Sequence, residues 1–164
     1  MSKILISGYY GFANAGDEAM LTAIIESLRQ VEKNVELTVL SGNPEDTAAK
    51  HQVCSVYRFN PLGIIRAMKD SELIISGGGS LLQDVTSKRS LLYYLSIIGL
   101  GKFFGKKVML FAQGIGPIRA KWARKLTSLV CNEADLITVR DSESAAELIE
   151  MGVKPEKITV TADS

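Results

Sequence analysis

The 164-residue sequence predicts an α/β fold: a doubly wound, mainly parallel sheet with helices on both faces. Three observations carry this expectation. Short apolar runs rich in β-branched residues alternate with amphipathic stretches along the chain, which is the pattern of repeated βα units. One run, Leu73-Ile74-Ile75, is apolar at every position, as suits a strand covered on both sides in a parallel sheet. Glycine-rich segments directly follow three of the runs, at the strand ends where open α/β sheets gather ligands.

The elements follow in order. Lys3–Ser7 reads as a strand that ends at the first glycine segment. Asp17–Val31 reads as a helix, because Met20, Leu21, Ile24, Ile25 and Leu28 recur at helical spacing. Val35–Leu40 is a second strand, closed by the turn signal Ser41-Gly42-Asn43-Pro44. A short helix over Glu45–Lys50 leads to an alternating strand at Val53–Phe59. Pro61 opens a helix through Met68, since proline suits a first turn. Glu72–Ser76 is the fourth strand. A helix from about Lys88 to Phe104 precedes the fifth strand at Lys107–Ala112. The next helix covers Ile118–Cys131, with Trp122 expected on its buried side. Ala134–Val139 is a sixth strand, Asp141–Glu150 a helix stopped by Gly152, and Lys157–Val160 a last short strand. The simplest doubly wound order is 3-2-1-4-5-6-7, which sets the ends of strands 1, 4 and 5 side by side.

Composition narrows the class. Hydrophobic residues make up 46% and charged residues 23%, as in ordinary globular proteins. A net charge of +1 gives no electrostatic case for a nucleic-acid partner. Cys54 and Cys131 lack CxxC spacing, and the N-terminus has no secretory apolar core. A reduced, cytoplasmic protein is therefore expected. The apolar segment Leu91–Leu100 falls short of the roughly 20 residues a membrane span needs. It reads as a buried helix. The alternative is a patch that makes weak peripheral contact with a membrane or a lipid-linked substrate.

The glycine segments carry the functional signal. The first, Gly8-Tyr9-Tyr10-Gly11-Phe12-Ala13-Asn14-Ala15-Gly16-Asp17, lacks the G-x-G-x-x-G spacing of a nicotinamide-cofactor fold. The second strand ends in Ser41-Gly42, without the acidic residue a ribose would need, so a dehydrogenase is disfavoured. No Gly-Lys-Ser/Thr ending marks a P-loop. Asn14 and Asp17 open the first helix, either as caps or facing a cleft, where Asp17 could handle a proton or orient a sugar hydroxyl. Glu18 reads as a first-turn charge complementing the helix dipole.

The run Gly77-Gly78-Gly79 exceeds what a turn needs and suggests a ligand against the backbone, with Ser80 and Gln83 offering polar contacts. Asp84 is a sugar-hydroxyl acceptor or a solvated helix charge. Gln113-Gly114-Ile115-Gly116-Pro117 repeats the logic: Gln113 suits sugar recognition, or the segment is a strand-to-helix turn. Arg140, closing the sixth strand, could fork onto a carboxylate or phosphate, or pair with Asp141 or Glu143. His51, the only histidine, reads as a solvent residue in a polar connector, and no metal-ligand cluster is present.

Together these blocks resemble a known family. Gly8-Tyr9-Tyr10-Gly11-Phe12 with Asn14-Ala15-Gly16-Asp17-Glu18-Ala19 resembles the opening of the polysaccharide pyruvyltransferases. Ser76-Gly77-Gly78-Gly79-Ser80-Leu81-Leu82-Gln83-Asp84, Gln113-Gly114-Ile115-Gly116-Pro117 and Arg140-Asp141-Ser142-Glu143-Ser144 look like further blocks in the same order. The likeness is to the CsaB type, which modifies secondary cell-wall polysaccharide in bacteria with S-layers.

The resemblance implies a glycosyltransferase-B-like enzyme of two Rossmann-like halves. Residues 1–164 would form the N-terminal half, and a C-terminal domain outside this chain would supply further catalytic groups, including a histidine. The implied reaction transfers an enolpyruvyl unit from phosphoenolpyruvate, with no cofactor, to a cell-wall glycan sugar (N-acetylmannosamine in the CsaB type), either free in the cytoplasm or on a lipid carrier at the inner membrane face. The product would anchor surface-layer proteins. Asp17 and Arg140 are then the catalytic candidates. Gly11, Asn14, Gly77, Gly78, Gly79, Ser80, Gln83, Gln113, Gly114 and Gly116 are the substrate-binding ones. The fragment alone should be inactive. Two alternatives stay open: a glycosyltransferase using a nucleotide-sugar donor, and a non-catalytic sugar-binding module.

Overall fold

Among the residues that the computed structural model describes, 2–84 and 87–161, the chain forms eight strands and six helices; of Ser80 only the backbone is described. Ala162, Asp163 and Ser164, at the chain end, lie outside the described residues.

The elements are β1 (Lys3–Ser7), α1 (Ala15–Val31), β2 (Glu36–Ser41), α2 (Pro44–His51), β3 (Cys54–Tyr57), α3 (Pro61–Asp70), β4 (Leu73–Ser76) and β5 (Gly79–Leu82), followed by α4 (Lys88–Phe103), β6 (Lys107–Ile115), α5 (Lys121–Glu133), β7 (Leu136–Val139), α6 (Ser142–Met151) and β8 (Ile158–Val160). A short 3-10 turn, Pro155–Lys157, leads into β8.

Local chemistry explains most helix starts. Asn14, Asn43, Asn60, Ser87 and Asp141 each cap a helix by accepting a bond from a free N–H of the first turn. Pro44 and Pro61 sit in the first turns of α2 and α3. Helix α5 has no cap of its own. Asp84, from a distant loop, instead fixes the segment that enters it, accepting from Arg119 N and Ala120 N at 3.0–3.1 Å. The sequence leaves Asp84 as a sugar-hydroxyl acceptor or a solvated helix charge, and the structure engages it with backbone N–H groups.

Every strand pairing is parallel, in the order β3-β2-β1-β4-β6-β7-β8, with β5 alongside β6. This is the expected doubly wound order with one strand added. Ser76 faces Leu110 and Gly79 faces Gln113, so the register across Gly77 and Gly78 is kept. The glycine run is therefore a break between two strands on the same neighbour, with Gly79 opening the second. The fifth expected strand runs on to Ile115 for the same reason: its second half has β5 to pair with. Against β7 the register shifts between Leu110 and Gln113. Ala112 there takes a positive φ of 49°, and its N–H donates to Thr138 Oγ1 at 2.7 Å. Such a bulge re-aims the residues beyond it.

The strands alternate between two cores. Leu5 joins Leu40, Ile74, Leu110 and Ile137 under α3–α6, whereas Ile4 and Ile6 join Leu37, Val39 and Ile75 under α1. The apolar segment near Leu91 is mostly core: α4 buries Leu91, Tyr94, Leu95, Ile97 and Ile98 and leaves Leu92 and Phe103 exposed. Among the described residues no helix is long and apolar enough to cross a membrane. Trp122 corrects an expectation: it is 48% exposed, because α5 starts at Lys121 and turns Ala123, Thr127 and Cys131 inward.

Candidate functional site

Strands β1, β4, β6 and β7 are neighbours, so the segments that follow them meet along one edge of the sheet. The three glycine segments and Arg140 thus converge, as the doubly wound order requires. What fills the space beside the glycines is less expected.

Tyr10 turns inward and is fully buried. A Cβ on Gly8 would stand 2.5 Å from Tyr10 Cζ, and one on Gly77 would overlap Tyr10 Oη. Gly11, at φ +85°, lets the loop press on Ser41 and Asn43, and Tyr10 O accepts from Gly42 N at 2.9 Å. Phe12 lies over Gly42 and stacks on Tyr9, with ring centroids 4.3 Å apart. Gly78 faces the Met20 side chain, Gly114 lies under the Arg140 guanidinium, and Gly116 meets Gln83 Cβ. The close approaches expected of a ligand at Gly11, Gly77, Gly78, Gly114 and Gly116 are thus made by the protein's own groups.

Gln113 likewise departs from the sugar contact expected of it. Its side chain is fully buried, and Nε2 donates to Ser76 O at 3.0 Å and to Gly77 O. It ties β6 to the glycine break, held there by the bulge before it. Asn14 is the α1 cap, accepting from Asp17 N at 3.2 Å. The side chain of Ser80 lies outside the described residues.

Two open clefts remain on this edge. One, of about 440 Å³, is lined by Tyr9, Asp17, Leu81, Gln83, Ser87, Ser90 and Tyr94. The other, of about 460 Å³, has Arg119, Arg124, Arg140, Asp141, Glu143 and Glu147 on its walls. Arg124 pairs with Glu147 at 2.6 Å, and Arg140 Nε stands 3.7 Å from Asp141 Oδ2. Asp17 and Arg140 therefore face different clefts. Asp17 Oδ1 lies against Gly79, Gly79 pairs with Gln113, and Arg140 covers Gly114, so β5 and β6 stand between them. A larger cavity, about 750 Å³, opens at the opposite end of the strands beside Lys3, Glu36 and Cys54, away from every predicted site residue.

Burial raises the Asp17 carboxyl above the ordinary carboxylate range, and neighbouring Glu18 raises it further. The Asp84 carboxyl is lowered by the backbone N–H groups of Ala120 and Arg119, and that of Asp141 by its hydrogen bonds with Ser144. His51 is not the solvent residue expected: its side chain is largely covered, and Nε2 faces Glu18 Oε1 at 4.0 Å. Glu18 lies in the first turn of α1, as expected of a charge that complements the helix dipole, and its side chain is largely covered.

Arg58 escaped the sequence reading altogether. It is 6% exposed, and its guanidinium lies 4.7–5.9 Å from the ring centroids of Tyr93, Phe59, Phe12, Tyr94 and Tyr9. Its one signal in the sequence is position, just past the end of β3 on the same edge. Among the described residues no group of three or more His, Cys, Asp or Glu could hold a metal ion.

The family model for polysaccharide pyruvyl transferase matches residues 14–164. A comparison with curated proteins gives no significant match. Among solved structures, Anabaena HepE in complex with UDP and glucose superposes with a TM-score of 0.68 at 13% identity, over 100% of this chain and 45% of that one. The lipopolysaccharide outer core galactosyltransferase WaaB gives 0.59 at 16%, over 98% and 45%. The UDP-GlcNAc 2-epimerase from Neisseria meningitidis bound to UDP-GlcNAc gives 0.59 at 13%, over 98% and 46%. The chain thus spans less than half the length of each, and these likenesses establish a Rossmann-like α/β fold. The family match covers nearly the whole sequence: the chain belongs to the polysaccharide pyruvyl transferase family.

Proposed function

We propose that this member of the polysaccharide pyruvyl transferase family is the N-terminal half of an enzyme that forms a pyruvate ketal on a cell-wall glycan, with phosphoenolpyruvate as donor and an N-acetylmannosamine residue as acceptor. The observation that carries the reading is Asp17. It sits at the carboxyl edge of the sheet, half-buried in a polar and aromatic cleft, with its carboxyl raised by burial. A carboxyl whose proton affinity is raised by burial and by neighbouring Glu18 suits a general acid better than a solvated one.

The chemistry then runs as follows. An acid protonates the methylene carbon of phosphoenolpyruvate, which becomes the methyl group. One sugar hydroxyl attacks the adjacent, now electron-poor carbon and gives up its proton. The bond from that carbon to the phosphate oxygen breaks, and inorganic phosphate leaves. A second hydroxyl adds to the same carbon, loses its proton and closes the ring. Asp17 serves as the acid or orients the acceptor hydroxyl. Arg140, one cleft away, suits the carboxylate or phosphate of the donor, whose developing charge a guanidinium would stabilise. The C-terminal half has to bring further cationic and acid-base groups, so these residues alone do not turn over. The reaction belongs in the cytoplasm, on a glycan precursor that is free or carried on a lipid at the inner membrane face, and its product would anchor surface-layer proteins.

The test uses the full-length protein. Phosphate release from phosphoenolpyruvate is measured with an N-acetylmannosamine-containing acceptor, and separately with UDP-sugars as donors. Turnover with phosphoenolpyruvate that falls at least 100-fold in Asp17→Asn and Arg140→Ala supports the reading. Turnover with a UDP-sugar alone would assign a glycosyltransferase instead. Turnover unaffected by both substitutions would leave this half as a sugar-binding module.

A further inference from the structure

Arg58 is a buried cation without a counter-ion. Among the described residues its Nε is enclosed without a hydrogen-bond partner, and the guanidinium's polar contacts are only with phenol groups, with Nη2 donating to Tyr94 Oη at a long 3.4 Å. Among the described residues no carboxylate pairs with it. Five rings surround the guanidinium, and each ring face attracts a cation by about 0.5–2 kcal/mol. Rings do not, however, accept the in-plane N–H groups as an anion does. An ionised group withdrawn from water costs several kcal/mol unless it is paired and hydrogen-bonded. The site is also held rigidly: Arg58 N donates to Ser41 O at 3.0 Å, and Arg58 O accepts from Tyr93 Oη at 2.7 Å.

The surroundings say what kind of anion would fit. Arg58 forms one wall of a groove of about 230 Å³ between α3 and α4, whose other walls include Phe59, Ile65, Tyr93, Ile97 and Leu100. An apolar groove with a single buried cation in its wall matches a molecule with one charged end and a hydrocarbon body. A free inorganic anion would leave the apolar walls unused, and a neutral amphiphile would leave the guanidinium unpaired. The geometry points to a binding site for an amphiphilic anion, its phosphate headgroup on Arg58 and its hydrocarbon chain along the α3–α4 groove. Planar guanidinium suits a phosphate oxygen pair. The groove adjoins the Asp17 cleft, from which the Tyr9 and Tyr94 rings divide it, and it does not depend on the transfer reaction being the one proposed above.

The experiment is a calorimetric titration of the full-length protein with decyl phosphate below its micelle concentration, alongside inorganic phosphate and decyl maltoside. The expected result is saturable binding of decyl phosphate, at least tenfold tighter than either control. Arg58→Met should weaken it at least tenfold, and Arg58→Lys less. Far-UV circular dichroism verifies that the variants fold. Ile65→Glu, at a partly exposed position, places a like charge in the groove and should weaken binding at least tenfold without touching Arg58. Binding that is unchanged in both Arg58→Met and Ile65→Glu would overturn the inference. So would the absence of saturable binding, or equal affinity for either control. None of these outcomes bears on the phosphoenolpyruvate assay.

Discussion

Gly77→Ala separates two explanations for the glycine run: room for a ligand, or room for the protein itself. A Cβ at Gly77 would overlap Tyr10 Oη and stand 3.1 Å from Tyr10 Cζ and 3.2 Å from Ser7 O. Retreat is blocked, because Gly77 N donates to Ser7 O at 2.6 Å and Gly77 O is held by Gln113. Gly77 has no positive φ, so alanine meets no backbone strain and the collision is the whole effect. Forced overpacking of this kind costs about 1–3 kcal/mol. Tyr10 is the other party: its hydroxyl is buried with no partner among the described residues, and burial pushes its ionisation far up. Removing an unsatisfied hydroxyl relieves a desolvation penalty, so Tyr10→Phe should stabilise by about 1 kcal/mol.

In the double variant the worst contact is gone, and the two effects should couple by about 1–2 kcal/mol toward stability. Urea unfolding followed by far-UV circular dichroism, with slopes compared to exclude a changed unfolded state, reads all four corners of the cycle. In melting temperature each kcal/mol appears as about 2–4 °C for a domain of this size. Additivity within about 0.5 kcal/mol, or a Gly77→Ala protein as stable as the parent, would refute the internal-packing account.

Other predictions follow from the charged and thiol groups. The Asp17 carboxyl is raised in the folded state, so the fold binds more protons than the unfolded chain between the ordinary carboxylate value and the folded one. Its contribution therefore favours folding at low pH and is lost as pH rises through the folded value. Asp17→Asn should accordingly raise the urea midpoint at pH 7, with the difference shrinking at acid pH; a midpoint lowered at pH 7 would contradict this. Asp84 has the opposite sign. Its carboxyl is lowered by the N–H groups of Ala120 and Arg119, so the stability it gives is present above the ordinary carboxylate value and lost as pH falls through the folded one. Asp84→Asn should lower the midpoint at pH 7 and little at acid pH. Cys131 is buried and its thiol pushed up to about 12, whereas Cys54 is exposed. One thiol should react with a disulfide reagent in the native protein and two in urea, and two fast thiols in the native state would disprove the packing around Cys131.

The order of the sheet could be read from the sequence because the determinants of each unit are local. The apolar run Leu73–Ile75, the helical spacing from Met20 to Leu28 and the Asn-Pro pairs at 43–44 and 60–61 act within a few residues. What was missed depends on partners far away in the chain. Strand β5 forms because β6 extends to meet it, and nothing in Gly-Ser-Leu-Leu alone distinguishes a strand from a helix start. The segment that enters α5 is held by Asp84, some 35 residues upstream. Arg58 looks like a loop cation until Tyr9 and Phe12 from one segment and Tyr93 and Tyr94 from another close around it.

The glycines also show how a motif can serve a site at one remove. Tyr10 beneath Gly77, Met20 at Gly78 and Arg140 over Gly114 occupy the very space that bare backbone offers, so a ligand need not enter it. Yet Asp17 Oδ1 would lie only 3.2 Å from a Cβ at Gly79, and Gly79 has a φ of +104° that other residues rarely adopt. A larger residue there would push the carboxylate outward, toward water and away from the wall of the cleft. Its burial would fall, and with it the desolvation that raises its proton affinity. Glycine at this position therefore bears on proton chemistry even with no ligand touching it.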